Sequence, residues 1–162
     1  MKKIGALMMV SLVMLLTVAC DPDEVFDEAQ QLEIDLQLID EYLDNNFLTN
    51  QVQIDQATRL RYIIFQDGTG DLARIGNSIQ ATYRGYLLDG TEFDSSDGNG
   101  PLPFVLGRGD VIPGWDIGFE KLRVGSIATL FLPSALGYGN RVNGDIPANS
   151  VLIFDVEVVD IR

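Results

Sequence analysis

The chain has 162 residues, and its 24 acidic and 11 basic side chains give a formal net charge of −13. This length suits one domain of ordinary size with an extension. The acidic charge argues against nucleic acid as a partner, because binding nucleic acid needs a basic surface. The chain has no histidine, which excludes histidine-based triads and most zinc sites, so neither a metal nor another cofactor is expected.

The first 19 residues have the pattern of a secretory signal peptide. Lys2 and Lys3 supply a positive start, and the uncharged apolar run over 4–18 is too short and wrongly flanked to span a membrane. The run ends in Ala19 and Cys20, and a small residue before cysteine at this point resembles a bacterial lipoprotein box. We therefore predict a lipoprotein signal peptide over 1–19 and lipidation at Cys20.

Lipidation of Cys20 implies attachment to a membrane in the bacterial cell envelope. Acyl chains have to make this attachment, because anionic lipid repels an acidic body. The domain is then expected to face the periplasm or to be exposed on the cell surface, and the acidic residues after Cys20 leave both possibilities open. The alternative for Cys20 is an ordinary buried thiol, or a signal cut by the general peptidase.

Residues 20–57 are predicted to form an acidic tether and an amphipathic helix. Between 21 and 55 there are eleven acidic residues and no lysine or arginine. A 3.6-residue period predicts a helix over about 25–46, and 50–57 is polar and predicted as a linker. The helix either packs on the domain or self-associates, or it docks a partner. The apolar positions that share one helical face are Leu32, Leu36, Ile39 and Leu43.

Residues 58–162 are predicted to form the folded domain, with many short strands separated by turn signals such as Asp89-Gly90. Side chains alternate best over 79–87 and 151–160, which indicates that one face of each strand is buried. Such a pattern with one central short helix predicts an α+β fold with a mainly antiparallel sheet. Strands are predicted at 60–65, 79–87, 92–94, 104–106, 128–132 and 151–160, and the helix at 115–122.

Six short motifs follow one another along the second half of the chain. They are Tyr83-Arg84-Gly85-Tyr86-Leu87, Phe93-Asp94-Ser95-Ser96, Val111-Ile112-Pro113-Gly114-Trp115, Tyr138-Gly139, Ile146-Pro147 and Phe154-Asp155-Val156-Glu157. In order and spacing they resemble the FKBP-type peptidyl-prolyl isomerases, over roughly 66–162. The resemblance implies a twisted, mainly antiparallel β-sheet wrapped around one short α-helix, here preceded by the acidic helix.

The activity that this resemblance implies needs neither a nucleophile nor a metal. Rotation about an Xaa-Pro bond is slow because amide resonance makes a barrier of roughly 18–20 kcal/mol. A site lowers this barrier if it prefers the twisted amide to the planar one. A dry apolar cup with a few fixed donors does so, because the carbonyl loses polarity as resonance is lost.

The resemblance also implies a role for each site residue. Trp115 forms the floor under the proline ring, and Phe104 backs the pocket. The implied catalytic group consists of Tyr83, Asp94, the backbone N–H of Ile112, and Tyr138. The implied substrate-binding group consists of Phe93, Leu102, Phe104, Val111, Trp115, Ile146 and Phe154. Leu102 stands where the family usually has a second aromatic residue.

We interpret the chain as a lipid-anchored isomerase that acts on proline-containing exported polypeptides, with a macrolide as a possible inhibitor. A catalytically weak FKBP-like module that tethers a partner protein at the membrane is the alternative. In a third hypothesis the acidic helix is the main functional surface. Taken singly, Trp115 or Phe154 is more often a core residue, and Asp94 before Ser95-Ser96 could simply be a turn former. The enzyme is favoured because all these positions match together.

Overall fold

The computed structural model describes residues 26–162. The predicted signal peptide and the predicted lipidation site at Cys20 lie outside these residues. Within them, no helix combines the length and the apolar character that crossing a membrane requires.

The acidic segment forms helix α1, Glu28–Asn45, within the span that the apolar period predicts. The Asp27 side chain caps its start by accepting the backbone N–H of Ala29 at 2.9 Å, which satisfies a donor left free at a helix N-terminus. The residues that α1 buries are Asp35, Leu36, Ile39 and Leu43.

Seven strands form one sheet in which every pairing is antiparallel. The strands are β1 (Gln53–Ile54), β2 (Arg61–Gln66), β3 (Ser78–Leu87), β4 (Glu92–Ser95), β5 (Leu102–Val105), β6 (Ile127–Leu132) and β7 (Leu152–Ile161). Their order is β1-β2-β6-β7-β3-β4, and β5 pairs with the other end of β3. Only one α-helix follows within the described domain, α2 (Pro113–Phe119), so the predicted α+β fold class is confirmed.

The sheet is covered on both faces. On the inner face, alternate residues of β7 such as Phe154 and Val156 share one core with Trp115 and Phe119 of α2. On the outer face, α1 buries a smaller cluster that we call the outer cluster, formed by Ile39, Leu43, Ile63, Phe131, Val151 and Ile153. The central strand β6 is consequently buried on both sides, apart from its first residue.

Glycines allow α2 to lie close against β6. A Cβ atom on Gly114 would lie 2.1 Å from a side-chain carbon of Leu132, and one on Gly118 would lie 2.7 Å from Leu130. Real Cβ atoms do not approach so closely, so a larger residue at either position would force the leucine side chain or α2 to move. Pro113 at the first turn fixes where α2 starts, two residues before the predicted start.

The polar stretch 50–57 is not merely a linker, because it contains β1. Gln53 pairs with Tyr62 and Ile54 with Arg61 at the edge of the sheet. Both β1 side chains are exposed, and a strand of two residues is too short to be predicted from alternation.

Candidate active site

A cleft of about 330 Å³ opens beside the start of α2, on the inner face of the sheet. Strand β3 and strand β7 supply one side, and the segment before α2 supplies the rim. The lining residues are Tyr83, Phe93, Asp94, Leu102, Asp110, Val111, Ile112, Trp115, Tyr138 and Phe154. Nine of these ten were selected from the sequence, so the structure brings most of the predicted site together. Their catalytic and binding roles remain predictions.

Aromatic rings meet at the base of the cleft. Trp115 is only 3% exposed, and its ring lies edge-on to Tyr83 at 5.0 Å and to Phe154 at 5.3 Å between centroids. Edge-to-face contacts of this kind favour one arrangement of the rings. Nε1 of Trp115 is buried and has no hydrogen-bond partner in the described part of the chain. Such orphan groups are rare in cores and call for an explanation, of which a functional site is one.

Gly85 makes room for two of these rings. A Cβ atom there would lie 2.6 Å from the ring of Phe93 and 2.9 Å from the ring of Phe154. The two rings pack edge to face at 5.5 Å between centroids. This glycine near the end of β3 therefore lets β4 and β7 place their aromatic side chains against the same part of the cleft.

One polar pair stands at the edge of this apolar base. The Tyr83 hydroxyl donates a hydrogen bond to a carboxylate oxygen of Asp94 at 2.8 Å. Burial, then the hydrogen bond to Asp94 and its charge, raise the pKa of Tyr83 to about 12. The hydroxyl therefore keeps its proton at neutral pH and holds the exposed Asp94 carboxylate in one direction.

The rim of the cleft includes a residue that the sequence prediction did not select, Asp110. Its carboxylate accepts the backbone N–H of Val105 at 3.1 Å and the Arg108 side chain at 3.2 Å. The Val105 N–H, followed by Arg108, lowers the pKa of Asp110. The bond joins the end of β5 to the segment before Val111 and Ile112. Asp110 could have been predicted from the sequence, because it directly precedes two predicted site residues, Val111 and Ile112.

Two predicted residues belong to the inner core and do not line the cleft. Phe104 is buried against Trp115, with 5.7 Å between ring centroids, where it supports the floor. Ile146 is 5% exposed and belongs to the same inner core, but it is not among the lining residues. An apolar side chain before Pro147 is used here for packing.

The loop that carries Tyr138 follows a 3₁₀ turn, Ser134–Leu136, directly after β6. Tyr138 lies close enough to Tyr83 to contribute, as the weakest cause, to the raised pKa of that residue. No group of three or more acidic or cysteine side chains that could hold a metal ion occurs within 26–162. The chemistry that this arrangement offers is apolar binding with a few fixed polar groups.

Comparison with known proteins points to one family. The model of the FKBP-type peptidyl-prolyl cis-trans isomerases matches residues 70–159. FkpA of Aeromonas hydrophila, an FKBP-type peptidyl-prolyl cis-trans isomerase, is 42% identical over 76% of this chain and 45% of its own length. FK506-binding protein 1A of Neurospora crassa is 42% identical over 67% of this chain and 93% of its own length.

A solved structure shows the same fold. The crystal structure of FkpA from Escherichia coli superposes with a TM-score of 0.68 at 31% identity, covering 83% of this chain and 63% of that one. The chain spans between 19% and 45% of the length of the first curated relatives it matches. The family match itself covers more than half of the chain. On this evidence the chain belongs to the FKBP-type peptidyl-prolyl cis-trans isomerase family.

Proposed function

We propose that this protein catalyses cis-trans isomerisation of Xaa-Pro bonds. The observation that carries the proposal is the aromatic cleft with one oriented carboxylate at its edge, since the Tyr83 hydroxyl bonds Asp94 at 2.8 Å above the buried ring of Trp115. This combination suits a reaction that needs a dry surface for the proline ring and a fixed dipole near the carbonyl. Membership of the family supports the same conclusion.

In this mechanism the proline ring lies on Trp115, between Tyr83 and Phe154. The Xaa-Pro carbonyl becomes less polar as the amide twists, so an apolar surround favours the twisted form over the planar one. Asp94 faces the twisting carbonyl, and the backbone N–H of Ile112 and the Tyr138 hydroxyl hold neighbouring carbonyls of the substrate. No proton has to be transferred, because the only change is rotation about one bond.

We further propose that the substrates are exported polypeptides and that lipid on Cys20 holds the protein in the bacterial cell envelope. This proposal divides the chain into a lipoprotein signal (1–19), a tether with α1 (20–57) and an isomerase domain (58–162). The signal-like pattern that ends at Cys20 supports the first part, and the family match over 70–159 supports the last. Lipidation would place the cleft at the membrane surface, facing the periplasm or the cell exterior.

A macrolide is the inhibitor class that we propose for the cleft. FK506 appears in the names of several relatives, and the cleft volume of about 330 Å³ falls in the range of small-molecule pockets. Leu102 lines the cleft where an aromatic residue is usual in the family, so the apolar contact with such a ligand is smaller.

The test is an isomerisation assay with the purified full chain in detergent and a short Xaa-Pro peptide, with and without a macrolide. The expected result is a rate well above the uncatalysed one that falls when the macrolide is added. If the folded protein binds the macrolide but gives only the uncatalysed rate, the isomerase hypothesis is wrong and the binding-module hypothesis replaces it. Substitution of Trp115 by leucine removes the aromatic floor, and in the assay it is expected to weaken both activity and macrolide binding.

A further inference from the structure

Helix α1 makes its most buried polar contact beside the loop that carries Tyr138. Asp35 is fully buried, at 0% exposure. One of its carboxyl oxygens accepts the backbone N–H of Ser134 at 2.7 Å and the Ser134 hydroxyl at 2.6 Å. The other accepts the side-chain amide of Gln31 at 2.7 Å. All three donors are neutral, so hydrogen bonds alone hold this carboxyl group.

The position of Asp35 within α1 is unusual for a carboxyl group. It lies on the buried face of α1, together with Leu36, Ile39 and Leu43. An apolar side chain would be expected at such a position. Burying a carboxyl group is unfavourable unless hydrogen bonds compensate for the lost water. What the carboxyl group adds over an apolar side chain is the pair of bonds to Ser134.

Ser134 begins the turn that leads to Tyr138. Its backbone carbonyl accepts hydrogen bonds from residues before and after Tyr138. The carbonyl oxygen accepts the N–H of Gly137 at 2.9 Å and the N–H of Gly139 at 2.8 Å. The carbonyl of Gly139 in turn accepts the N–H of Asn149 at 2.8 Å. The position of Ser134 therefore determines the position of the backbone at Tyr138.

The same turn touches the helix that carries the floor of the cleft. The carbonyl oxygen of Leu136 lies 3.1 Å from where a Cβ atom on Gly114 would be, next to Trp115 in the chain. A shift of the turn would consequently alter both the loop over the cleft and its contact with α2.

We propose that Asp35 is a positioning residue for the reaction, which fixes Tyr138 over the cleft through Ser134. It lies outside the region 70–159 that matches the family, so this control comes from the part of the chain that precedes the shared domain. The catalytic consequence rests on the proposed isomerase function, whereas the positioning of the loop does not.

The test compares Asp35→Ala and Asp35→Asn with Asp40→Asn in the full chain. Asp40 is the matched control, because it bonds Arg61 through two contacts of 2.8 Å and so also anchors α1, but away from Ser134. The readouts are kcat/KM for an Xaa-Pro peptide and hydrogen exchange of the Gly137 and Gly139 amides by NMR.

We expect Asp35→Ala to speed exchange at these two amides and to lower kcat/KM about fivefold, the change that corresponds to one net hydrogen bond. Asp35→Asn should lie between it and the unaltered protein, since the asparagine carbonyl can still accept the Ser134 N–H. Asp40→Asn should leave both readouts nearly unchanged. If Asp35→Ala does not fold, Ser134→Ala removes only the hydroxyl and should give a smaller change in the same direction.

Two results would overturn the proposal. An equal loss of kcat/KM in the Asp35 and Asp40 variants would mean that Asp35 only helps to dock α1. Faster amide exchange with unchanged kcat/KM would mean that the position of Tyr138 has no effect on the reaction. If the unaltered protein has no isomerase activity, the proposed function fails, and the amide exchange alone then decides whether Asp35 fixes the loop.

Discussion

The Tyr83 hydroxyl stays protonated far above neutral pH, because burial and the bond to Asp94 raise its pKa to about 12. At the scale of single residues this pair supplies the only side-chain hydrogen bond that joins two lining residues of the cleft in the described structure. The Tyr83 hydroxyl therefore keeps its proton throughout the pH range from about 6 to 9.

We predict a nearly flat profile of kcat/KM from about pH 6 to 9, because the chain has no histidine and Tyr83 does not titrate there. Tyr83→Phe should lower kcat/KM about fivefold, the equivalent of one net hydrogen bond. Tyr86→Phe is the control, since that ring packs towards the outer cluster. A bell-shaped profile with a limb near neutrality, in a protein that stays folded, would show that an acid or base does the chemistry.

The sequence could identify Trp115 and Tyr83 because each lies in a short motif that resembles the family. The Trp115 motif contains proline and glycine, and the Tyr83 motif contains glycine. It could not assign a use to Asp35. The structure places this residue on the buried face of α1, and its partner Ser134 is 99 residues away. The role of a buried carboxyl group depends on which groups donate hydrogen bonds to it. For Asp35 the main donor, Ser134, can be identified only from the tertiary structure.

At the scale of elements, a second polar pair ties β1 to the end of α2. The Asp55 carboxylate accepts a hydrogen bond from Lys121 at 2.7 Å and bonds from the N–H and hydroxyl of Thr58 at 3.0 and 2.9 Å. The Lys121 bond, followed by the Thr58 bonds, lowers the pKa of Asp55 from 3.8 to about 2.

A lowered pKa in the folded state means that the ionised Asp55 stabilises the protein above about pH 4, and that this contribution is lost as the pH falls towards 2. We predict that Asp55→Asn lowers Tm at neutral pH, and that its Tm falls less on acidification from pH 5 to 2 than that of the unaltered protein. Thermal unfolding followed by circular dichroism measures this. Asp67→Asn is the control, because Asp67 is exposed and makes no side-chain hydrogen bond or ion pair in the described structure. An equal decrease in Tm between pH 5 and pH 2 in all three proteins would contradict the prediction.

The long strands could be predicted from the sequence, whereas the shortest could not. In β7, residues such as Phe154 and Val156 alternate with exposed ones, because one face of most of the strand lies on the core. β1 has two exposed residues and is defined only by its pairing with β2. The apolar period of α1 predicted its buried face, but the choice between packing on the domain and self-association needed the outer cluster to be seen.

At the scale of the whole molecule, the membrane attachment that we propose depends on one residue, Cys20. We predict that Cys20→Ser abolishes labelling with a radioactive fatty acid and releases the protein from the membrane fraction, because Cys20 is the only cysteine in the chain. Ser11→Ala, within the same apolar run, keeps Cys20 and should keep the label. Retention of an unlabelled but correctly cleaved Cys20→Ser protein in the membrane would reveal another anchor.

From the outer cluster we expect α1 to dock late in folding, because most of its partners in that cluster lie far along the chain. Ile39 and Leu43 come early in the chain, but Phe131 and Ile153, which they pack against, belong to β6 and β7, the last two strands. Closing such long loops costs entropy before any contact is gained, so α1 has no surface to dock on until these strands have paired. Contacts that form after the transition state act on the unfolding rate. Changes in α1 should therefore shorten the lifetime of the folded protein while refolding remains nearly as fast.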